Sequence, residues 1–202
     1  MKRIGIFGGS FNPIHLGHTA LAAYICEQEL VDEVWLMVSP QNPLKRDLTL
    51  LDENERLAMA RLAVAPYPML KACDFEFTLP RPSYTYHTLQ ALRKAYPDCE
   101  FSLIIGEDNW QCFDRWYRGE DIARETPIIV YPRSSENSES TKELSSFDFQ
   151  LSFLKNPPLL PYSSTEVRVR IAQGDDTNHM LHPDVAQYIK ENNLYTTAQN
   201  EA

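Results

Sequence analysis

The sequence has no long apolar run, no paired cysteines and no excess of basic residues, and each absence narrows its function. No stretch approaches the about 20 apolar residues of a membrane-spanning helix, and the first apolar run ends at Gly8, too early for a signal peptide. The four cysteines form no Cys-x-x-Cys pair, which is typical of reduced thiols in a cytosol. A net charge of −9 argues against a general nucleic-acid-binding protein, which normally presents a basic face. We therefore expect a cytoplasmic protein that binds neither membranes nor nucleic acid.

Strand and helix signals alternate along the chain, which predicts an α/β protein with a doubly wound, mostly parallel sheet. Ligands of such a sheet bind at the carboxyl ends of its strands. Apolar runs predict strands at 4–7, 34–38, 69–77, 101–105, 127–131 and 149–154, and the charged residues within 69–77 predict that this strand lies at an edge of the sheet. Helices are predicted at 16–30, at 53–65, from a cap at Ser83 to about 95, as two short pieces within 109–124, at 164–173 and at 183–192.

The 202 residues fit one α/β domain of ordinary size, which we place at 1–195, followed by a polar tail at 196–202. Segment 134–146 is rich in Ser and Glu and almost free of large apolar residues. We expect it to be a mobile surface loop within that domain, because the alternating pattern resumes after it.

The most informative segment is 8–18, which lies between the first predicted strand and the first predicted helix and reads Gly-Gly-Ser-Phe-Asn-Pro-Ile-His-Leu-Gly-His. Gly8 and Gly9 allow a tight turn and a close approach of the backbone to a ligand. The N–H groups and the dipole at a helix start favour an anion. His15 and His18, three residues apart, place both imidazole rings over the same opening. The segment therefore indicates chemistry on a phosphate group.

Other interpretations of this segment fit less well. Two histidines at this spacing are often surface residues or metal ligands, but no cysteine, His-x-x-x-His or Glu-x-x-His pattern accompanies them. A Walker P-loop is excluded because no Gly-Lys-Ser/Thr follows the glycines. A dinucleotide fingerprint is excluded because Gly-x-Gly-x-x-Gly is absent.

The segment resembles the nucleotidyltransferase signature Gly-Gly-x-Phe-x-Pro-x-His-x-Gly-His, with every fixed position present. Residues 163–168 resemble the second signature of that superfamily, Ser-Ser-Thr-x-Ile-Arg, with Val167 in place of isoleucine. The superfamily joins a nucleoside triphosphate to a phosphate-bearing acceptor and releases pyrophosphate. The resemblance implies this reaction type and a Rossmann-like nucleotidyltransferase fold.

Four further segments resemble the bacterial nicotinate-nucleotide adenylyltransferases, so that the likeness extends over about residues 2–195. They are Pro-Ser-Tyr-Thr-x-x-Thr-Leu at 82–89, Ile-Gly-x-Asp with Trp-Tyr within 105–117, a proline-rich loop at 40–45, and Tyr-Ile with Leu-Tyr within 188–195. The implied reaction is adenylyl transfer from ATP to nicotinate mononucleotide. The family loop usually carries Pro-His before its basic residue, whereas this chain has Leu44 before Lys45. Any role of that histidine is therefore absent, and only Lys45 carries over.

The resemblance and the chemistry of the side chains together imply two sets of site residues. His18 is expected to donate to the α-phosphate and His15 to orient the β- and γ-phosphates, which makes these two the catalytic residues. ATP-binding residues are expected at Gly8, Gly9, Ser10, Phe11, His15, His18, Gly106, Asp108, Ser163, Ser164, Thr165 and Arg168. Acceptor-binding residues are expected at Lys45, Thr85, Trp116, Tyr117 and Arg133.

No residue is assigned to a metal, because Mg²⁺ is expected to arrive with the ATP phosphates and to be held by substrate oxygens and water. No tightly bound organic cofactor is expected, and the partners are the two small-molecule substrates. The sequence leaves open whether the chain forms a homo-oligomer.

Residue by residue, simpler interpretations remain. Trp116 at helical spacing from Phe113 is also typical of core packing, and Thr85 is also typical of a helix start. Lone basic residues are usually solvated. Phosphopantetheine adenylyltransferase shares the first signature, but it usually has Thr in place of His15, is shorter and lacks the Pro-Ser-Tyr-Thr segment. A nucleotide-binding sensor without turnover is a second alternative, although both signatures are intact here.

Overall fold

A computed structural model of the chain describes residues 1–40, 50–132, 150–158 and 160–196. Six parallel strands form one sheet in the order β3-β2-β1-β4-β5-β6. The strands are β1 (Lys2–Gly9), β2 (Glu33–Val38), β3 (Leu70–Cys73), β4 (Cys99–Gly106), β5 (Ile128–Tyr131) and β6 (Leu151–Phe153). The helices are α1 (Leu16–Glu27), α2 (Glu53–Val64), α3 (Thr85–Ala95), α4 (Glu107–Gln111), α5 (Gly119–Glu125), α6 (Ser164–Gln173) and α7 (Pro183–Glu191), and 3-10 turns lie at Phe75–Thr78 and Phe113–Arg115.

Helices cover both faces of this sheet. One buried cluster packs α1, α2, α6 and α7 against one face, and a second packs α3, α4 and α5 against the other. Alternate residues of β1 point to opposite faces, so that Ile6 joins the second cluster while Phe7 joins the first. The predicted doubly wound parallel sheet is therefore confirmed.

The strand order reverses at β1. The chain runs outward from β1 to β3 and then returns to place β4 on the other side of β1. The connections after β1 and β4 consequently leave in opposite directions, and a crevice opens at the carboxyl ends of these two strands. The first signature segment lies at this crevice because it directly follows β1.

Several predicted boundaries were confirmed and others were wrong. Ser163 caps α6 by accepting a hydrogen bond of 3.1 Å from the Glu166 N–H, and Gly174 ends this helix with φ = 77°. The predicted third strand, 69–77, is only β3 and then a 3-10 turn, although β3 does lie at the predicted sheet edge. The cap predicted at Ser83 is wrong because α3 begins at Thr85, and Tyr84 holds the cap position.

The end of the first helix and the helical pieces before β5 also differ from the prediction. The first helix ends at Glu27 and not at residue 30, because Glu29 has a left-handed backbone with φ = 55°. Where two short helical pieces were predicted, α4, a 3-10 turn and α5 occur. The predicted mobile loop at 134–146 lies outside the described residues, as does all of the predicted tail except residue 196. In the part of the chain that is described, no helix has the length and apolarity to cross a membrane.

The segment after α7 folds back onto the first signature. Tyr195 is buried, and its hydroxyl donates a hydrogen bond of 2.9 Å to the Oδ1 atom of Asn12. The same oxygen accepts a longer hydrogen bond of 3.4 Å from the Leu51 N–H. Tyr188 of α7 also donates to the Glu55 carboxylate of α2, at 2.8 Å. The end of the described chain is thereby fixed to the loop that follows β1.

Tyr195→Phe tests this contact. Removal of the hydroxyl leaves the buried Asn12 amide oxygen with only its long bond, so we predict that the free energy of unfolding falls by about 1 kcal/mol. Urea-induced unfolding measures this change. Tyr96→Phe is the matched control, because the Tyr96 side chain is exposed. Equal stability of the two variants would contradict a stabilising role for the Tyr195 hydroxyl.

Candidate active site

A cleft of about 700 Å³ lies at the carboxyl ends of β1, β4 and β5. Every predicted site residue that the structure describes contributes to its wall. On the expected ATP side these are Gly8, Gly9, Ser10, Phe11, His15, His18, Gly106, Asp108, Ser163, Ser164, Thr165 and Arg168, and on the acceptor side Thr85, Trp116 and Tyr117. Lys45 and Arg133 lie outside the described residues.

The two histidines form a stacked pair at the start of α1. Their ring centroids are 3.7 Å apart, with an angle of 30° between the ring planes. The backbone N–H of His15 donates to the Nδ1 atom of His18 over 3.2 Å. Nδ1 is therefore the acceptor nitrogen of the neutral His18 ring, and Nε2 carries the hydrogen. The backbone thus selects the tautomer in which His18 is a donor through Nε2.

Aromatic side chains support the His18 ring from the other side. The Phe11 ring contacts it edge-on, with centroids 5.0 Å apart, and Phe7 contacts Phe11 edge-on at 5.9 Å. Phe11 is buried although its backbone is left-handed, with φ = 46°. Such a backbone costs on the order of 1–3 kcal/mol in a residue with a side chain, so the surrounding packing must hold it. The loop after β1 is therefore fixed in a strained conformation that places Phe11 against His18.

Two of the three glycines in this segment leave room for the packed rings. A Cβ atom on Gly9 would lie 2.9 Å from the Cζ atom of Phe11, and one on Gly17 would lie 3.0 Å from the Nδ1 atom of His15. A Cβ atom on Gly8 would meet nothing within 4 Å. Gly9 and Gly17 are thus required by the packing of the protein itself, whereas Gly8 keeps open a part of the cleft.

The two signature segments are joined by hydrogen bonds. The Ser164 Oγ atom donates to the Pro13 carbonyl at 2.8 Å, and an Arg168 Nη1–H group donates to the Asn12 carbonyl at 2.7 Å. A second Arg168 nitrogen lies 3.4 Å from the Thr165 hydroxyl. The N-terminus of α6 is consequently held beside the histidine loop, although the bonded residues are more than 150 positions apart in sequence.

The other end of the cleft contains aromatic rings and the N-terminus of α3. Thr85 is the first residue of α3, and the ring of Tyr84 lies 4.9 Å from that of Tyr117. Trp116 packs against Phe113, with ring centroids 5.2 Å apart, as its helical spacing predicts, and it also lines the cleft. This end of the cleft presents flat apolar faces beside a helix N-terminus.

A comparison with known protein families matches a part of the chain that contains both signature segments. The cytidylyltransferase-like family model matches residues 6–170. A relative from Bacteroides thetaiotaomicron, named as a probable nicotinate-nucleotide adenylyltransferase, is 47% identical over 191 residues, which cover 94% of this chain and 91% of the relative. The chain belongs to the nicotinate-nucleotide adenylyltransferase family. A Flavobacterium johnsoniae relative of the same name is 41% identical, over 96% of this chain and 98% of its own.

Solved structures share the fold. The nicotinic acid mononucleotide adenylyltransferase of Plasmodium falciparum, in complex with NaAD, superposes with a TM-score of 0.79. The alignment covers 96% of this chain and 98% of that chain at 23% identity. A putative nicotinate-nucleotide adenylyltransferase from Vibrio parahaemolyticus has a TM-score of 0.71 at 22% identity, over 98% of this chain and 97% of its own. The Rossmann-like nucleotidyltransferase fold expected from the sequence is thereby confirmed.

Sequence reasoning missed a buried carboxyl group beside the cleft. Glu76 is 6% exposed, and its Oε1 atom accepts a hydrogen bond of 2.9 Å from the Thr88 hydroxyl. Burial raises the pKa of the Glu76 carboxyl above its usual value. The sequence offered a signal, because Glu76 is one of three charged residues in the otherwise apolar run 69–77, but these charges predict a sheet edge and not a buried carboxyl group.

Polar atoms without a partner gather at the same end. The Glu76 Oε2, Ser83 Oγ and Trp116 Nε1 atoms are buried, and none has a hydrogen-bond partner in the described part of the chain. All three residues line the cleft. Because buried polar atoms are normally paired, these three atoms are candidate hydrogen-bonding groups for a ligand in the cleft.

Gly9→Ala and Gly8→Ala form a matched pair that tests the loop. We predict that Gly9→Ala lowers the free energy of unfolding by about 1–3 kcal/mol, because its Cβ atom would displace the packed Phe11 ring. Gly8→Ala is expected to leave that free energy nearly unchanged, since its Cβ atom enters open space. Denaturant unfolding of both variants measures the difference. Similar losses in the two variants would mean that the backbone, and not the Phe11 ring, limits both positions.

Proposed function

We propose that the protein transfers the adenylyl group of ATP to nicotinate mononucleotide, forming nicotinate adenine dinucleotide and pyrophosphate, as a step of NAD biosynthesis. The observation that carries this proposal is the direct bonding of the two signature segments, Asn12 to Arg168 and Pro13 to Ser164, at one wall of the cleft. The relatives that are 41–47% identical over nearly the whole chain support the same acceptor and nucleotide.

Adenylyl transfer needs positioning more than it needs a base. The acceptor phosphate is already an anion at neutral pH. One of its oxygens attacks the α-phosphorus of ATP, and the bond from that phosphorus to the bridging oxygen breaks to release pyrophosphate. Catalysis then consists of in-line alignment and stabilisation of the charge on the transferred phosphate. We assign the stabilising donor to His18 Nε2, the nitrogen that bears the hydrogen when Nδ1 accepts from the backbone.

The triphosphate is proposed to lie between the loop after β1 and the N-terminus of α6. Backbone N–H groups of residues 8–11 line one side, and His15 orients the β- and γ-phosphates. Ser163, Ser164 and Thr165 present the start of α6, where N–H groups and the helix dipole favour an anion. Arg168 uses two of its five N–H groups inside the protein and offers the remainder to phosphate oxygens. Gly106, the last residue of β4, and Asp108, two residues after it, are proposed to contact the ATP ribose.

The acceptor is proposed to lie at the aromatic end of the cleft. Trp116 offers its indole face to the pyridine ring, and stacking of this kind contributes about 0.5–1.5 kcal/mol beyond burial. Thr85 and the N–H groups at the start of α3 are proposed to bind the ring carboxylate, with Tyr117 beside them. Lys45 and Arg133 are proposed to neutralise the acceptor phosphate.

A magnesium ion is proposed to accompany ATP. The described residues contain no group of three or more His, Cys, Asp or Glu side chains that could hold a metal ion. A magnesium ion keeps several waters and binds readily through substrate phosphates, so this donor set fits an ion that enters with the nucleotide. Bound there, it would neutralise charge on the phosphates and the leaving pyrophosphate.

Pyrophosphate release with a panel of acceptors tests the proposed reaction. Turnover is expected with ATP and nicotinate mononucleotide, and not with phosphopantetheine. Turnover with phosphopantetheine alone would identify the protein as the other adenylyltransferase. Absence of turnover with every acceptor, together with ATP binding, would identify it as a nucleotide sensor.

His18→Ala tests the assignment of the transition-state donor. We predict a decrease in kcat of about 10²–10³-fold, the usual effect of losing one such donor, with little change in ATP affinity or thermal stability. Steady-state kinetics and calorimetry measure these quantities. His18→Gln retains an N–H donor and is expected to recover part of the loss. A kcat within a few-fold of wild type in His18→Ala would remove this residue from the mechanism.

The choice of acceptor tests the proposed carboxylate site. The amide of nicotinamide mononucleotide places an NH₂ group where the acid has an acceptor oxygen, so at least one protein donor would face another donor. We predict a preference for the acid of on the order of 2–4 kcal/mol, or about 30- to 1000-fold in kcat/KM. Thr85→Val should narrow this ratio by impairing the acid more than the amide. Similar kcat/KM values for both acceptors in the wild type would contradict the proposed site.

A further inference from the structure

Arg56 of α2 is buried directly beneath the loop that follows β1. The residue is only 1% exposed, although it carries a full positive charge. Its Nε–H group donates to the Leu51 carbonyl at 2.8 Å, and its Nη1 atom donates to the Ser10 and Ser39 carbonyls at 2.6 and 2.8 Å. Its Nη2 atom donates to the Pro40 carbonyl at 3.3 Å. One guanidinium thus ties together the beginning of the first signature loop, the segment just after β2 and the residue before the cap of α2.

The hydrogen bond to Ser10 fixes the direction of a neighbouring N–H group. The Ser10 carbonyl and the Phe11 N–H belong to one trans peptide plane and therefore point in opposite directions. Because the carbonyl points toward the buried Arg56, the Phe11 N–H points away from it. In the described part of the chain this N–H group has no hydrogen-bond partner, and both Ser10 and Phe11 line the cleft. Arg56 therefore fixes the orientation of a backbone donor in a loop that lines the cleft.

The charge of Arg56 lacks a direct counter-charge. In the described ranges no carboxylate lies within ion-pair distance of its guanidinium, whose four hydrogen bonds all go to neutral carbonyls. Burial lowers the pKa of the Arg56 guanidinium, while Asp52 and Glu53 act on it only from a distance. A buried charge normally has a paired partner, because desolvation is costly. An anion in the adjoining cleft would balance this charge.

We propose that Arg56 is a positioning residue of the triphosphate site: it aims the Phe11 N–H at the nucleotide phosphates, and its buried charge is balanced by them. The inference rests on the proposed role of the loop as a phosphate site, but it does not depend on the identity of the acceptor. It assigns a function to a residue that makes no contact with the substrates.

Comparison of ATP with adenosine tests the proposal, because adenosine lacks the phosphates. Arg56→Met keeps a long, helix-compatible side chain but removes the charge and the donors. We expect the Kd for ATP to rise by about tenfold or more, while the Kd for adenosine stays within about twofold of wild type. In kinetics, the KM for ATP should rise more than the KM for the acceptor. Arg56→Lys keeps the charge but has fewer directed donors, so its Kd for ATP should lie between those of the wild type and Arg56→Met.

Arg61→Met is the matched control on the same helix. Its side chain is 61% exposed and forms an ion pair with Asp74 at 3.1 Å, so its removal should leave both affinities unchanged. If Arg56→Met does not fold, Arg56→Lys carries the test, with a higher Kd for ATP and an unchanged Kd for adenosine. An equal rise in the Kd values for ATP and adenosine, or an unchanged Kd for ATP, would overturn the proposal. Wild-type protein that binds ATP without turning over nicotinate mononucleotide would instead overturn the proposed function alone.

Discussion

Asn12 lies between the histidine loop and the C-terminal part of the chain, and its two oxygens bond to both. Its backbone carbonyl accepts from Arg168 of α6, and its side-chain amide accepts from Tyr195 after α7. The position is buried, so these bonds are not exchanged for bonds to bulk water. Because His15 follows Asn12 by only three residues, the same bonds that close the fold also fix the distance between His15 and the N-terminus of α6.

The local placement of cations explains how an acidic chain can present an anion site. The net charge is −9, and many basic side chains form surface ion pairs that contribute little to stability. Arg56 and Arg168 differ from these, because both donate to backbone carbonyls beside the cleft and neither uses a carboxylate for it. Within the described ranges, no carboxylate therefore contacts either guanidinium. Together with the dipole of α6, these two guanidinium groups place positive charge beside the cleft of an acidic protein.

The sequence predicted the parts of the structure that depend on local patterns. Apolar runs marked the strands, and the spacing of the two signatures marked the wall of the cleft, because each signature stays contiguous in the fold. The cap at Ser83 was wrong because the preference for Ser at a helix start does not fix the exact residue, and here Tyr84 holds the cap position. Arg56 was missed since its partners are carbonyls from three separate segments, which no side-chain pattern reveals. Glu76 was missed for a similar reason, as Thr88 belongs to another element.

The two ends of the cleft differ in whether their polar side chains are hydrogen-bonded within the protein. At the end with the two signatures, Ser164, Arg168 and the His18 ring already have protein partners that set their orientation. At the aromatic end, the Glu76 and Ser83 side chains keep buried oxygens without a partner among the described residues. An unpaired buried polar atom costs about 1–3 kcal/mol, and a correctly placed ligand or water recovers part of this cost. A mismatched hydrogen-bonding group on a ligand is therefore penalised at the aromatic end, which agrees with the proposed placement of the acceptor there.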